Sequence, residues 1–512
     1  MYILIPILLP IVAGVILFLL PLGKQGGKTE TFAAHTDKEG NTVFGKRSTL
    51  IGYTLFTLFI SILCTLYVVA QNTTELHLFD LSVYLPIYFK IDLLGKVFAV
   101  LISIVWFLSA VFAVEYMKHE AHNRRYFAFY LIVYGVLVGL SFAGNMVTFY
   151  MFFEMMTLLS MPLVLHTLSR EAIMAGLKYM FYSFCGAYMV LFGLFFLCRY
   201  ANTLTFTAGG TLDPGMMQGH ETLLLICAML MILGFSVKAG MFPMHAWLPT
   251  AHPVAPAPAS AVLSGIIVKI GVFGIIRTVF YLFGAEFLQG SWVQTVWMIL
   301  SLITVFMGSM LAYREDVLKK RLAYSTVSQL SYILFGLSLL NGTGMVGALY
   351  HVIFHGFVKT ALFLGVGAVI YKTGKTKASE ITGIGKKMPI IIWCFTIASL
   401  ALIGIPPTGG FLSKWYLAIG ALESGIPVFS ILGPVILLVS ALLTAGYLLP
   451  ITVKGFFPGE DYDYETSENL EKQPGMKWMV IPMIILAALA LIPGMFPTQL
   501  SNILTEIATT LM

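Results

Sequence analysis

Apolar residues in this chain neither alternate with polar ones nor keep the three-to-four spacing of a surface helix. They gather in runs, each long enough for a helix that is apolar on every side. A helix needs about 20 such residues to cross the hydrocarbon core of a bilayer. Runs of that order lie near 2–22, 49–70, 92–115, 125–143, 146–166, 171–199, 221–241, 258–283, 292–313, 320–340, 343–372, 388–407, 426–453 and 477–497. The first begins at Tyr2 with no basic residue ahead of it, unlike the opening of a cleavable leader, so it is expected to be a span. The pattern predicts an all-α polytopic membrane protein with about 14 transmembrane helices. Two runs are interrupted: the seventh runs into Pro243, His245 and Pro249, and the twelfth stops at Pro406-Pro407 and resumes through Gly410 to Trp415.

The interruptions are five spans apart. Because five is odd, a five-helix unit and its copy would lie in opposite orientations. The expected organisation is a single membrane domain: 1–117 holds spans 1–3, 118–285 a first repeat of spans 4–8, 286–455 an inverted second repeat of spans 9–13, and 456–512 a loop and span 14. Broken helices at corresponding positions of inverted repeats point to a transport site. Each break has a lysine nearby, Lys238 before Pro243 and Lys414 after Pro407. A lone proline kink is common in membrane helices, but a matched pair with matched lysines favours function.

Composition narrows the classes. Of 512 residues, 58% are hydrophobic and 11% charged, against roughly 25% charged in soluble domains. That excludes a soluble enzyme, a nucleic-acid binder, a disordered chain and a disulfide scaffold. The five cysteines, Cys64, Cys185, Cys198, Cys227 and Cys394, form no C-x-x-C pair, so no iron–sulfur or zinc site is expected here. No phosphate-cradling glycine loop precedes a helix.

The net charge of +6 follows topology. Loops after odd-numbered spans hold 21 Lys and Arg, and the opposite loops hold only Lys90 and Arg199. The positive-inside rule then puts the basic loops, with Lys319 among them, in the cytoplasm and both termini outside, in a cell membrane. The six acids from Glu460 to Glu471 are expected to form a solvated loop on the same face.

Seven cations remain within or beside the spans. Lys96, Lys178 and Arg277 are near enough to helix ends to snorkel. Lys238, Lys269, Lys359 and Lys414 are deeper, where a charged lysine costs about 2.5–3.5 kcal/mol. Four together cost on the order of 10 kcal/mol, comparable with the stability of a domain, so they must be paired, hydrated or often neutral. One deep carboxylate, Glu154, is placed to serve them, Lys238 first. The eleventh span carries His351, His355 and Lys359 at i, i+4 and i+8, along one helix face. Its H-x-x-x-H spacing has Val352 where a metalloprotease has glutamate, so a row of proton-exchanging groups fits better than a metal site. His166 and His252 could extend a proton route or simply sit at helix ends, and the latter is expected.

The stretch from Lys238 to Lys269, with Lys320-Arg-Leu-Ala-Tyr-Ser-Thr-Val-Ser-Gln-Leu-Ser-Tyr332, the His351/His355/Lys359 helix and Gly404-Ile-Pro-Pro-Thr-Gly-Gly-Phe-Leu-Ser-Lys414, resembles the antiporter-like membrane subunits shared by respiratory complex I, ferredoxin-linked membrane-bound hydrogenases and Mrp-type sodium/proton antiporters. The resemblance covers most of residues 90–450. It implies fourteen helices with inverted five-helix repeats, an ion pair between Glu154 and Lys238, and a hydrated axis through Lys269 and the His/Lys row to Lys414. One complex I subtype carries glutamate at the position of Lys414, and the wording around Ala251-His252-Pro253 looks closest to the hydrogenase-linked subunits. The sequence ends at Met512, some fifteen residues past the last predicted span, so the lateral helix of the family's longest member is not expected here.

The expected function is proton translocation along Glu154, Lys238, Lys269, His351, His355, Lys359 and Lys414, with His245 in the first break, inside a multisubunit complex. The chain would carry no cofactor and no redox centre of its own; iron–sulfur clusters are expected on partner subunits of a peripheral redox arm. The rival is an Mrp-type antiporter subunit with no redox partner, and sodium stays open as a second ion. A solute permease fares worst, since a substrate pocket does not call for four buried lysines beside one carboxylate. As a titratable substitute, glutamate at 414 is expected to be tolerated better than alanine.

Overall fold

The computed structural model describes residues 2–19, 45–71, 74–82, 85–459 and 468–512. Lys24, Lys28 and Lys38 of the basic tally and Glu460, Asp461, Asp463 and Glu465 of the acidic loop lie outside the described residues, as does the side chain of Lys46.

In chain order the main helices are α1 (Ile5–Leu19), α2 (Gly45–Ala70), α3 (Leu93–Tyr116), α4 (Asn123–Ser141), α5 (Met146–Val164), α6 (Arg170–Tyr200), α7 (Glu221–Ala239), α8 (Leu248–Val254), α9 (Ala257–Phe283), α10 (Trp292–Arg314), α11 (Leu318–Ser338), α12 (Gly342–Thr373), α13 (Pro389–Ile403), α14 (Gly409–Glu423), α15 (Phe429–Phe456), α16 (Lys477–Met495) and α17 (Thr498–Leu511). Polar residues at run ends start several of them. Asp92, Asn145 and Asn341 accept from Gly95, Thr148 and Gly344 backbone N–H at 2.8 Å, covering donors that hydrocarbon cannot.

Every predicted span position carries a helix. Among the described residues, eleven helices are long and apolar enough to cross a membrane. Of the rest, α4 carries Arg124 and Arg125, α11 carries Lys319, Lys320 and Arg321 with a run of hydroxyls, and α13 stops after 15 residues at the second break. One antiparallel hairpin, β1 (Glu75–Asp80) with β2 (Pro86–Lys90), departs from the all-helical expectation and lies outside the spans.

The two breaks share a form. Gly240 (φ 73°) ends α7 and Gly404 (φ 93°) ends α13 in the left-handed conformation that glycine tolerates. Each is followed by a cis proline peptide, Phe242-Pro243 and Pro406-Pro407. The molecule has a polar centre inside an apolar shell. α9 and α12 are enclosed almost all round, whereas α6 and α15 expose side chains such as Phe181, Phe195, Leu438 and Leu442. Helices apolar on all sides belong inside, so the lysines and histidines of α9 and α12 are held away from lipid.

A buried file of lysines and histidines

Lys238, in the last turn of α7, is 1% exposed. Its Nζ donates to Thr157 Oγ1 and Tyr179 OH, both at 2.8 Å, and to Ser183 Oγ at 3.1 Å. The Tyr179 hydroxyl is linked in turn to Ser160 at 2.8 Å. This corrects the expected ion pair: no nitrogen–oxygen pair within 4 Å joins Lys238 to Glu154, and buried Glu154 Oε1 has no hydrogen-bond partner. Glu154 acts on Lys238 through space, one turn of α5 from Thr157.

Lys269 lies on α9 just after a π-helical stretch, Leu263–Ile267. Widening the turn frees a carbonyl, and Lys269 Nζ donates to Ser264 O at 2.6 Å. Two residues on, Gly271 brings α9 against α7: a Cβ there would lie 2.5 Å from Phe235 O and 3.0 Å from Lys238 Cβ. Lys359, on α12, donates to Ser325 Oγ at 2.6 Å and Leu322 O at 3.1 Å, and Ser325 bonds the Tyr447 hydroxyl at 2.6 Å.

One and two turns before Lys359, His355 and His351 stack 5.7 Å apart, and His351 also stacks on Tyr332. His351 Nδ1 pairs with Ser413 Oγ at 3.0 Å, whereas His351 Nε2 and both nitrogens of His355 have no partner. A cavity of ≈ 10 Å³ lies between these rings and Leu402, Gly410 and Ser413, about the space one water needs. Across it Lys414 Nζ donates to Leu402 O and Ile403 O, each at 2.6 Å, below the face of Tyr332.

The predicted residues thus fall into two groups and an outlier. Lys269, Lys359, His355 and His351 lie within electrostatic reach of one another, and Lys414 joins them through His351; Glu154 and Lys238 form a second set, joined to the first where α9 meets α7. His245 sits apart in the first break, stacked on Phe242 and near Lys178. Buried and unpartnered, Gln329 and Ser331 add polar atoms to the same interior, where unsatisfied groups mark sites that ordered water serves.

Three expectations need correction. Arg277 does not snorkel: 1% exposed, it grips Asp92 through its two terminal guanidinium nitrogens, Nη1 and Nη2, with the Tyr281 hydroxyl on the same carboxylate at 3.0 Å. Lys319 is not a solvated loop cation but is buried, donating to Ala255 O at 2.8 Å. Both histidines do sit at helix ends, but His252, in the last turn of α8, is wholly enclosed with neither ring nitrogen hydrogen-bonded, whereas His166 bonds Ala121 O. Glu471 leaves the acidic loop's solvent to accept from Ile390 and Ile391 N–H at the start of α13. Reading for charge alone passed over the hydroxyls of Thr157, Tyr179, Ser183 and Ser325; their spacing on otherwise apolar helices was the available signal.

Among the described residues no group of three His, Cys, Asp or Glu could hold a metal ion. The arrangement suits proton exchange among amines, imidazoles, hydroxyls and interior water.

Known proteins fit this geometry. The family model described as "NADH:quinone oxidoreductase/Mrp antiporter, TM" matches residues 143–444, and that of the complex I chain 5 N-terminus matches 81–127. NADH-quinone oxidoreductase subunit N of Desulforudis audaxviator is 30% identical over 81% of this chain and 83% of its own. Hydrogenase-4 component B of Escherichia coli is also 30% identical, over 82% of this chain, which spans 64% of that longer protein. The solved Mrp complex from a Dietzia species contains a chain that shares the fold at a TM-score of 0.81, with 21% identity, 99% of this chain and 97% of that one covered. The chain belongs to the NADH:quinone oxidoreductase/Mrp antiporter transmembrane family, as an antiporter-like subunit of the kind found in complex I, membrane hydrogenases and Mrp assemblies.

Proposed function

We propose that the chain moves protons along Glu154, Lys238, Lys269, Lys359, His355, His351 and Lys414, with His245 serving the first break, as one subunit of a redox-driven membrane complex. The observation that carries this is the file itself: titratable groups in succession, Lys269, His351, His355 and Lys359 of them on the two most enclosed helices, with unpartnered polar atoms between them. Burying such groups is costly unless they are used or hydrated. Five-helix units running 118–285 and 286–455 in opposite senses would place the two breaks symmetrically about the file. The left-handed glycine that ends the helix at each break, Gly240 and Gly404, supports that division. Basic loops inside the cell and both termini outside complete the topology.

In this reading a peripheral arm with iron–sulfur clusters supplies the energy. The Mrp-type alternative has the same fold and file, with no redox partner, and exchanges sodium for protons. Purifying the native complex through a tag on this chain and assaying iron and acid-labile sulfide decides between them. Clusters in fixed ratio to the chain support the redox-driven pump; a pure assembly without iron establishes the antiporter. Translocation itself is tested by Lys238→Ala, which is expected to stop proton movement in reconstituted vesicles while the complex still assembles.

A further inference from the structure

Two buried groups outside the file, His252 and Lys319, lead with a half-buried carboxylate, Glu120, toward the basic face. His252, on α8, is 0% exposed, with neither ring nitrogen hydrogen-bonded. Its ring stacks on Phe363 at 4.6 Å, and Ser260 Oγ fixes its backbone carbonyl at 3.0 Å. Phe363 follows Lys359 by one turn of α12, so the imidazole lies over the same face of that helix, within electrostatic reach of both Lys359 and Lys319. Lys319 sits at the end of α8, its Nζ on Ala255 O, three residues past His252. Beyond it Glu120, half-buried in the loop between α3 and α4, is the carboxylate that acts on Lys319. Burial raises the Glu120 carboxyl above its ordinary range, and Lys319 partly offsets the rise. Tyr116 and Tyr126 lie beside the same carboxyl.

An imidazole held for packing alone would not need two buried, unbonded nitrogens, whose desolvation is uncompensated. One with both edges free can take a proton on one nitrogen and release one from the other, so the ring is neutral before and after each transfer. We propose that His252 is a proton-carrying residue that joins the aqueous basic face to Lys359, with Glu120 and Lys319 as the outer steps. The route enters the second repeat's part of the file without passing through Glu154 and Lys238. It rests on the proposed translocation along the file.

The test uses the whole complex in vesicles, with initial proton-translocation rates measured in H2O and D2O. His252→Phe keeps a ring against Phe363 and removes the nitrogens; if it fails to assemble, His252→Gln serves. The expected result is a fall of tenfold or more with an increased solvent isotope effect, because proton delivery has become limiting, and a smaller fall in Glu120→Gln. A wild-type rate, or a slower rate with an unchanged isotope effect, overturns the assignment to His252, provided Lys238→Ala is inactive in the same vesicles. If Lys238→Ala also pumps normally, the translocation reading itself fails and the entry route falls with it.

Discussion

The two breaks have the same backbone and opposite lysines. One turn back from each break the following chain serves a carbonyl: Ser236 O accepts from Met241 N–H and Leu400 O from Ile405 N–H, each at 3.1 Å, and at the first break Val237 O also accepts from the Trp247 indole at 2.8 Å. Lys238 turns sideways into three hydroxyls. At the second, Lys414 reaches back from α14 to the last two carbonyls of α13, Leu402 O and Ile403 O. A hydroxyl donates as well as accepts, so the Lys238 shell has a partner for either an ammonium or an amine; carbonyls only accept, so the Lys414 shell is matched to the ammonium alone. Helix ends favour this too, since the C-terminal carbonyls carry the negative end of the dipole.

The largest effect expected from this contrast is at Lys238. Lys238→Ala and Lys238→Arg should both lower translocation a hundredfold or more in reconstituted vesicles, the second because arginine keeps its proton. An active Lys238→Arg would show that the charge, and not its exchange, is what the first break requires. Next is Lys414, where the two substitutions separate. Lys414→Ala uncovers two carbonyls and should slow translocation about tenfold and lower thermal stability in detergent. Lys414→Glu should be worse on both measures, because it points a carboxylate at those carbonyls. A Glu variant better than Ala would mean that the carbonyl shell rearranges and that the breaks are more alike than their hydrogen bonds show.

That order reverses what the residues alone suggest. Seen as a sequence, Lys414 is one more titratable group, and any other should substitute for it; the acceptors facing it belong to residues eleven and twelve positions earlier. Much else was legible. Long apolar runs have one stable outcome in lipid, which is why the helices and both breaks could be placed from the pattern. The buried charges followed from the cost of putting them there. What stayed hidden was pairing across distance: Asp92 with Arg277, 185 residues apart, and Lys319 with the end of α8. In both cases a cation read as a surface residue is enclosed by a helix that the local sequence does not reveal. The Glu154–Lys238 pair, implied by the resemblance, is replaced by hydroxyls that no charge-based reading would select.

Smaller effects sharpen the contrast further. Tyr179→Phe removes one of three hydroxyls from Lys238 and should slow translocation severalfold with assembly intact, whereas Tyr332→Phe, beside Lys414 but not bonded to it, should change the rate less. Gly271→Ala drives a methyl into Phe235 O, where α9 meets the Lys238 turn. Overpacking of this kind costs about 1–3 kcal/mol, and the loss should appear in rate as well as stability if the junction between the two sets of residues matters.

The smallest effect tests why α13 is fixed and α7 is not. A 15-residue helix is pinned at both ends: Glu471 accepts from Ile390 N–H at 3.0 Å and Ile391 N–H at 2.7 Å, and Lys414 covers the other terminus. Both charges complement the dipole. Loss of an N-terminal cap costs about 1 kcal/mol, so Glu471→Ala should lower thermal stability slightly and leave translocation within twofold of wild type. If α13 is the static half of the pair, combining Glu471→Ala with Lys414→Ala should cost more stability than the two losses added, because each anchor limits the fraying that follows loss of the other. Strict additivity would mean that packing, not its two charged ends, holds α13 in place, and the difference between the breaks would then reduce to the shells around their lysines.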